Sequence, residues 1–111
     1  MATLTVGQID RSSGATYSLV SAAAGGDVFA NNGKTFLVAR NANGAATRTV
    51  TFAITQLVDG VTPAGKAVTI AASTTKVLGP FPTGIYNNTS GQVAVTYSDS
   101  AADITVQAFT L

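Results

Sequence analysis

The sequence predicts an all-β fold: one antiparallel β-sandwich of about eight short strands spanning residues 1–111. Three observations carry that expectation. Apolar and polar residues alternate with a period of two, and Gly, Asn, Asp and Pro break the alternation at short intervals. Hydrophobic residues make up 46% of the chain but aromatic ones only 7%, so Ala and Val dominate the apolar content, and small or branched side chains suit two sheets pressed close together. The one run with helix propensity, residues 21–24, is stopped by Gly25-Gly26.

The elements follow in order. Alternation begins at Thr3-Leu4-Thr5-Val6 and resumes over residues 16–22, with Tyr17, Leu19 and Ser21 on one face. Gly25-Gly26-Asp27 turns the chain into Val28-Phe29, and Asn32-Gly33 turns it again into a strand over 34–40. In that strand Phe36 and Val38 oppose Leu37 and Ala39, so both faces are apolar, as in a strand near the middle of the fold. Residues 41–47 read as a hairpin loop with Asn43-Gly44 at its tip, because these residues tolerate positive φ. The returning strand, 48–55, places Val50, Phe52 and Ile54 inward and threonines outward, where the branched side chain fits the pleat.

Residues 56–66 form the longest interruption, holding Asp59-Gly60, Pro63 and Gly65. Strands are expected over 67–71 and 75–78. Gly79-Pro80-Phe81-Pro82 is excluded from any central strand, because neither proline can donate to a ladder. Residues 92–98 alternate cleanly, with Val93, Val95 and Tyr97 inward. In the last strand, 103–111, Ile104 and Val106 share a face while Phe109 and Leu111 fall in the opposite phase. Either a bulge near Gln107-Ala108 shifts the register, or the strand's end faces a second surface. Strands at roughly ten-residue spacing make a β-sandwich or a jelly-roll-like barrel.

The chemistry-bearing residues are few. Only 10% of the chain is charged, against about 25% in typical soluble domains, and the net charge is +1. With no basic run, the footprint of a nucleic-acid binder is missing, so no nucleic-acid partner is expected. With no His and no Cys, the commonest general base and the most reactive nucleophile are both missing. A non-enzymatic protein without cofactor, metal or catalytic residues is therefore expected. Asp10, Asp27, Asp59 and Asp99 read as turn or capping residues. Asp99 and Asp103 suggest a calcium loop, but they bring too few oxygen ligands and no Gly for the bend. Asn87-Asn88-Thr89 and Asn88-Thr89-Ser90 match the glycosylation pattern and are read as turns. Tyr97 alternates with Val93 and Val95, so it reads as core rather than as part of a sugar platform. The N-terminus shows no charged region followed by an apolar one, and no apolar run approaches a membrane span, so neither secretion nor a membrane partner is expected.

Two groups of residues carry a resemblance to a known family. The first is Asn32-Gly33-Lys34-Thr35-Phe36-Leu37-Val38-Ala39-Arg40-Asn41 followed by Thr49-Val50-Thr51-Phe52. The second is the succession Gly79-Pro80-Phe81-Pro82, Tyr86-Asn87 and Val93-Ala94-Val95-Thr96-Tyr97-Ser98. In this order they resemble small proteins encoded among the head genes of tailed bacteriophages, over roughly Asp27 to Leu111. Length and composition are similar to the jelly-roll capsid decoration (cement or staple) proteins of the epsilon-fifteen-like type. That resemblance implies a structural virion protein on the capsid exterior, made in the host cytoplasm. It would bind the major capsid protein and lock neighbouring capsomers, alone or as a dimer or trimer with copies of itself. The family brings no catalytic residues to transfer. Another virion part (a head fibre, neck or tail protein) and a glycan-binding sandwich are the alternative readings.

The partner contacts are expected in loops held by the rigid scaffold. Candidates are Asn41 and Asn43 in the 41–47 loop, and Leu57, Val58 and Val61 in the 56–66 loop. Leu4 and Val6 join them from an N-terminal arm over residues 1–16, expected to add to a neighbour as a strand.

Overall fold

Where the alternating segments meet, two sheets form and pack face to face. The structure, a computed structural model, describes residues 2–98 and 103–111. Among them are ten strands: β1 (Ala2–Thr3), β2 (Val6–Gln8), β3 (Val20–Ser21), β4 (Asp27–Ala30), β5 (Thr35–Asn41), β6 (Arg48–Phe52), β7 (Lys66–Ile70), β8 (Thr74–Leu78), β9 (Gln92–Tyr97) and β10 (Ile104–Thr110). One helical turn, α1 (Thr83–Tyr86), precedes β9. The first sheet runs β1-β4-β9-β6-β7 and the second β2-β10-β5-β8, with β3 also on β10.

The inward phase of each strand supplies the core. Phe29, Val50, Phe52, Ile70, Val93 and Val95 of the first sheet face Leu37, Ala39, Ile104, Val106 and Ala108 of the second, all fully buried. Burying each larger apolar side chain contributes about 1.5–3 kcal/mol, so this interdigitated layer is the main source of stability. Phe81 closes one end, with its ring centroid 4.6 Å from that of Phe52 and 5.4 Å from that of Tyr86. The segment around it is not a strand, as its prolines require. β5 lies between β10 and β8, the interior position its two apolar faces indicated.

The sheets are mixed rather than purely antiparallel. β1 pairs parallel with β4, and β2 pairs parallel with β10. Parallel pairing needs a long connection, and residues 4–26 and 9–103 supply it. The N-terminal segment is therefore no free arm, because one side of each of its two strands is paired into the protein's own sheets. Between β1 and β2, Leu4 drops into the core.

Three other expectations are corrected. Residues 41–47 are not a hairpin loop: β5 pairs with β10 and β8, whereas β6 pairs with β7 and β9, so the connection is an arch from one sheet to the other. Neither Asn43 nor Gly44 needs positive φ there. Instead Asn43 Oδ1 accepts from the N–H groups of Ala45 and Ala46, and a side chain shapes the turn. The strand expected over 16–22 shrinks to β3. Gln107 takes over its backbone bonds: Oε1 accepts from Ser18 N–H and Nε2 donates to the Thr16 carbonyl, each at 2.6 Å. Finally, Asp27 is not a turn residue but a buried one within β4.

No bulge interrupts β10, whose register with β5 is continuous from Ile104↔Asn41 to Thr110↔Thr35. Phe109 points to the outer face of its sheet, away from Ile104, Val106 and Ala108. The phase change read in the sequence marks a second apolar surface.

Candidate partner-binding surface

Residues 56–66 build the most distinctive apolar projection. Val58 N–H donates to the Val61 carbonyl and Val61 N–H to the Val58 carbonyl, both at 2.9 Å. The two residues between them, Asp59 and Gly60, have φ of 55° and 77°. That is the positive-φ pair a two-residue hairpin needs, and Asp-Gly supplies it at low cost. The result is a small, fixed finger carrying Leu57, Val58 and Val61, which are 58%, 64% and 65% exposed. The three residues do not extend β6 or cap the core. The finger's base is tied to the body, where Thr55 and Gln56 N–H groups both donate to the Ile85 carbonyl of α1.

The other sequence candidates have different places. Asn41 is fully buried. Its Nδ2 donates to the Ala46 and Ile70 carbonyls at 2.9 and 3.1 Å, and its Oδ1 accepts from Asn43 N–H, so it ties the arch to β7 and offers nothing to a partner. Asn43 is part-buried and donates to Asp103 Oδ2. Leu4 is core, and Val6 is half-buried against it. Side chains so placed are scaffold, and among these candidates only the finger residues are largely exposed.

The second surface indicated by the shifted phase at the end of β10 is the outer face of the β10-β5-β8 sheet. The rings of Tyr17, Phe109 and Phe36 stack along it, with successive centroids 6.5 and 5.7 Å apart. Beyond Phe36 lies an apolar groove of about 360 Å³ between Lys34, Phe36, Val77, Pro80 and Leu111. Gly79 shapes its floor: φ is +127°, and a Cβ there would come within 3.0 Å of Phe36 Cβ. Val77 and Leu111 stay largely exposed on its walls. The signal was present in the two apolar faces of β5 and the shifted phase of Phe109 and Leu111. Nothing local said that the groove would stay uncovered.

Charge is confined to few places. Arg48 donates from Nε and Nη2 to Asp103 Oδ2, at 3.2 and 2.8 Å. These bonds, followed by that from Asn43, hold the Asp103 carboxyl below the usual carboxylate range, against a smaller upward push from burial. The calcium loop imagined at Asp99 and Asp103 lies partly outside the described residues; the Asp103 carboxylate is engaged by Arg48 and Asn43. No cluster of three or more acidic residues with metal-ligand placement occurs among the described residues. Asp10 and Asn88 are turn residues: Asp10 accepts from Ser12 N–H, and Asn88 Oδ1 accepts from the N–H groups of Ser90 and Gln92. A cavity of about 530 Å³ beside β2 is lined by uncharged residues, among them Thr3, Gln8, Thr16, Ser18 and Gln107. Among the described residues no helix is long and apolar enough to cross a membrane.

Family models, curated proteins and solved structures were compared with the chain, and none matches.

Proposed function

We propose that this protein is a non-enzymatic structural component of a phage virion that binds the outer surface of the capsid and stabilises contacts between major capsid protein subunits. The observation that carries this role is the surface itself. Among the described residues eight large apolar side chains, Ile9, Tyr17, Val20, Leu57, Val58, Val61, Val77 and Leu111, stand exposed, on a chain of which only 10% is charged. Such a surface is poorly protected against association by charge repulsion, and it costs little to desolvate when another protein covers it.

The strand order supports the same role. Leaving aside β1 and β2, the sheets read β3-β10-β5-β8 and β4-β9-β6-β7, an arrangement of eight strands that fits the jelly roll used by many capsid proteins. Such a likeness of architecture is an analogy, and it leaves the role to be tested directly.

The test is to mix the purified chain with undecorated shells and image the particles by electron microscopy. Stoichiometric density over the shell is the expected result. A few copies at one vertex would make it a neck or tail component, and no binding to any shell would overturn the role.

A further inference from the structure

We infer that the cavity beside β2 is a binding site for a neutral sugar, an uncharged hexose or N-acetylhexosamine unit held by hydroxyl and carboxamide side chains. This site goes beyond shell binding and does not rest on it.

The strand order makes the cavity. β5 occupies one edge of β10 from Ile104 to Thr110, so β2 and β3 share the other. They run in opposite directions there, β2 parallel along residues 108–110 and β3 antiparallel along residues 105–106. Gln107 lies between the two pairings. Its carboxamide grips the backbone of Thr16 and Ser18, so the approach to β3 is held as a wall. Below that wall the chain turns at Gly14, which has φ of 67° and donates its N–H to the Asp10 carbonyl at 2.7 Å. A cavity of about 530 Å³ stays open between the wall and residues 3–8. That volume is typical of small-molecule sites and ample for a pyranose ring. Because the wall is fixed before a ligand arrives, little ordering entropy is lost on binding.

The lining selects the ligand class. Thr3, Thr5, Gln8, Thr16, Ser18 and Gln107 contribute groups that can both donate and accept, the match for hydroxyls that do the same. Among the described residues, the side chains of Thr3, Thr5, Gln8, Thr16 and Ser18 form no hydrogen bond within the chain, so their bonding capacity is open to a ligand. Leu4 and Val20 add apolar surface for the C–H face of a ring. No charged residue lines the cavity, so a phosphate, carboxylate or ammonium group would lose its hydration there without gaining a counter-charge. An extended peptide would need a long open strand edge, and β2 offers three residues. A compact, uncharged, many-hydroxyl ligand meets all of these conditions.

The test is amide-resolved NMR of the labelled full chain titrated with glucose, galactose, mannose and N-acetylglucosamine. Glucuronate, glucosamine and a blocked threonine tetrapeptide are titrated in parallel. At least one neutral sugar should shift the amides of Gly7, Gln8, Thr16 and Ser18 saturably. The charged sugars should bind about tenfold more weakly or worse. Thr16→Val with Ser18→Ala removes two hydroxyls at exposed positions and leaves the Gln107 bonds to the backbone intact. That variant should keep its melting temperature and lose about tenfold in affinity. The inference is overturned if none of the neutral sugars gives a saturable shift, or if the shifts lie elsewhere on the chain. Undiminished affinity in the double variant overturns it too, as does equal affinity for glucuronate or the peptide. Shell binding by a chain that takes no sugar would sink this site alone, and sugar binding by a chain that ignores shells would sink the decoration role alone.

Discussion

The Tyr97 hydroxyl donates a 2.6 Å hydrogen bond to Oδ2 of Asp27, joining β9 to β4 at the buried margin of the first sheet. Asp27 is 1% exposed, and the same oxygen also accepts from Ala23 N–H. A buried carboxylate is tolerated only when it is hydrogen-bonded, so the phenol keeps Asp27 in place. Burial, then the bond to Asp27 and then its charge, hold the Tyr97 phenol well above its ordinary value of 10.0.

The first prediction follows from that phenol. A group whose pKa is raised by folding adds stability that is complete below its unfolded value and is lost as pH rises through the folded one. Stability should therefore decline above about pH 10. Followed by the difference in tyrosinate absorbance between the parent and Tyr97→Phe, the Tyr97 phenol should ionise only together with unfolding. Ionisation of Tyr97 before any loss of circular dichroism would contradict the buried bond. Tyr97→Phe should cost about 1–3 kcal/mol at neutral pH by leaving Asp27 short of a donor, measured by urea denaturation.

Asn41 is the second test. Its carboxamide satisfies the carbonyls of Ala46 and Ile70 inside the sandwich. Asn41→Leu fills the space but strands those acceptors, and about 2–4 kcal/mol of stability should be lost. A loss below about 0.5 kcal/mol, the size of a surface substitution, would mean that the arch between the sheets does not depend on it.

The acid flank depends on Asp103. With its carboxyl held below the ordinary 3.8 by Arg48 and Asn43, the unfolded chain takes up a proton before the folded one does as pH falls. The ion pair's contribution is complete above that ordinary value and disappears as pH drops through the folded one. Melting temperatures of the parent and of Asp103→Asn should accordingly differ at neutral pH and converge in strong acid. A constant difference across the titration would exclude this linkage.

Phe52 tests the core. It is fully buried between the sheets and against Phe81, so Phe52→Ala should lose about 3–5 kcal/mol through lost burial and the cavity left behind. An unchanged melting temperature would place Phe52 outside the core.

Alternation along the chain is enough to set the all-β class and most of the core. Val50, Phe52, Val93, Val95 and Ile104 were legible because alternation along a strand fixes which side chains share a face, whatever the strand pairs with. The finger was legible in part, since three large apolar residues around Asp59-Gly60 are out of place in a loop unless they are meant to be covered. Pairing was decided only in three dimensions. The arch at 41–47 looked like a hairpin because Asn43-Gly44 favours any tight reversal, while the choice of partner strand depends on which sheet has room for β6. The burial of Leu4 and Asn41 is invisible locally because it comes from elements distant in the chain: β4 and β10 capture the N-terminal strands, and the carbonyls of residues 46 and 70 converge on one carboxamide. The groove beside Phe36 shows the same division. Its apolar residues can be read one by one, but Leu111, Val77 and Lys34 become one surface only when β10, β5 and β8 lie side by side. Local pattern fixes the phase of each strand, and long-range packing decides which phase meets solvent.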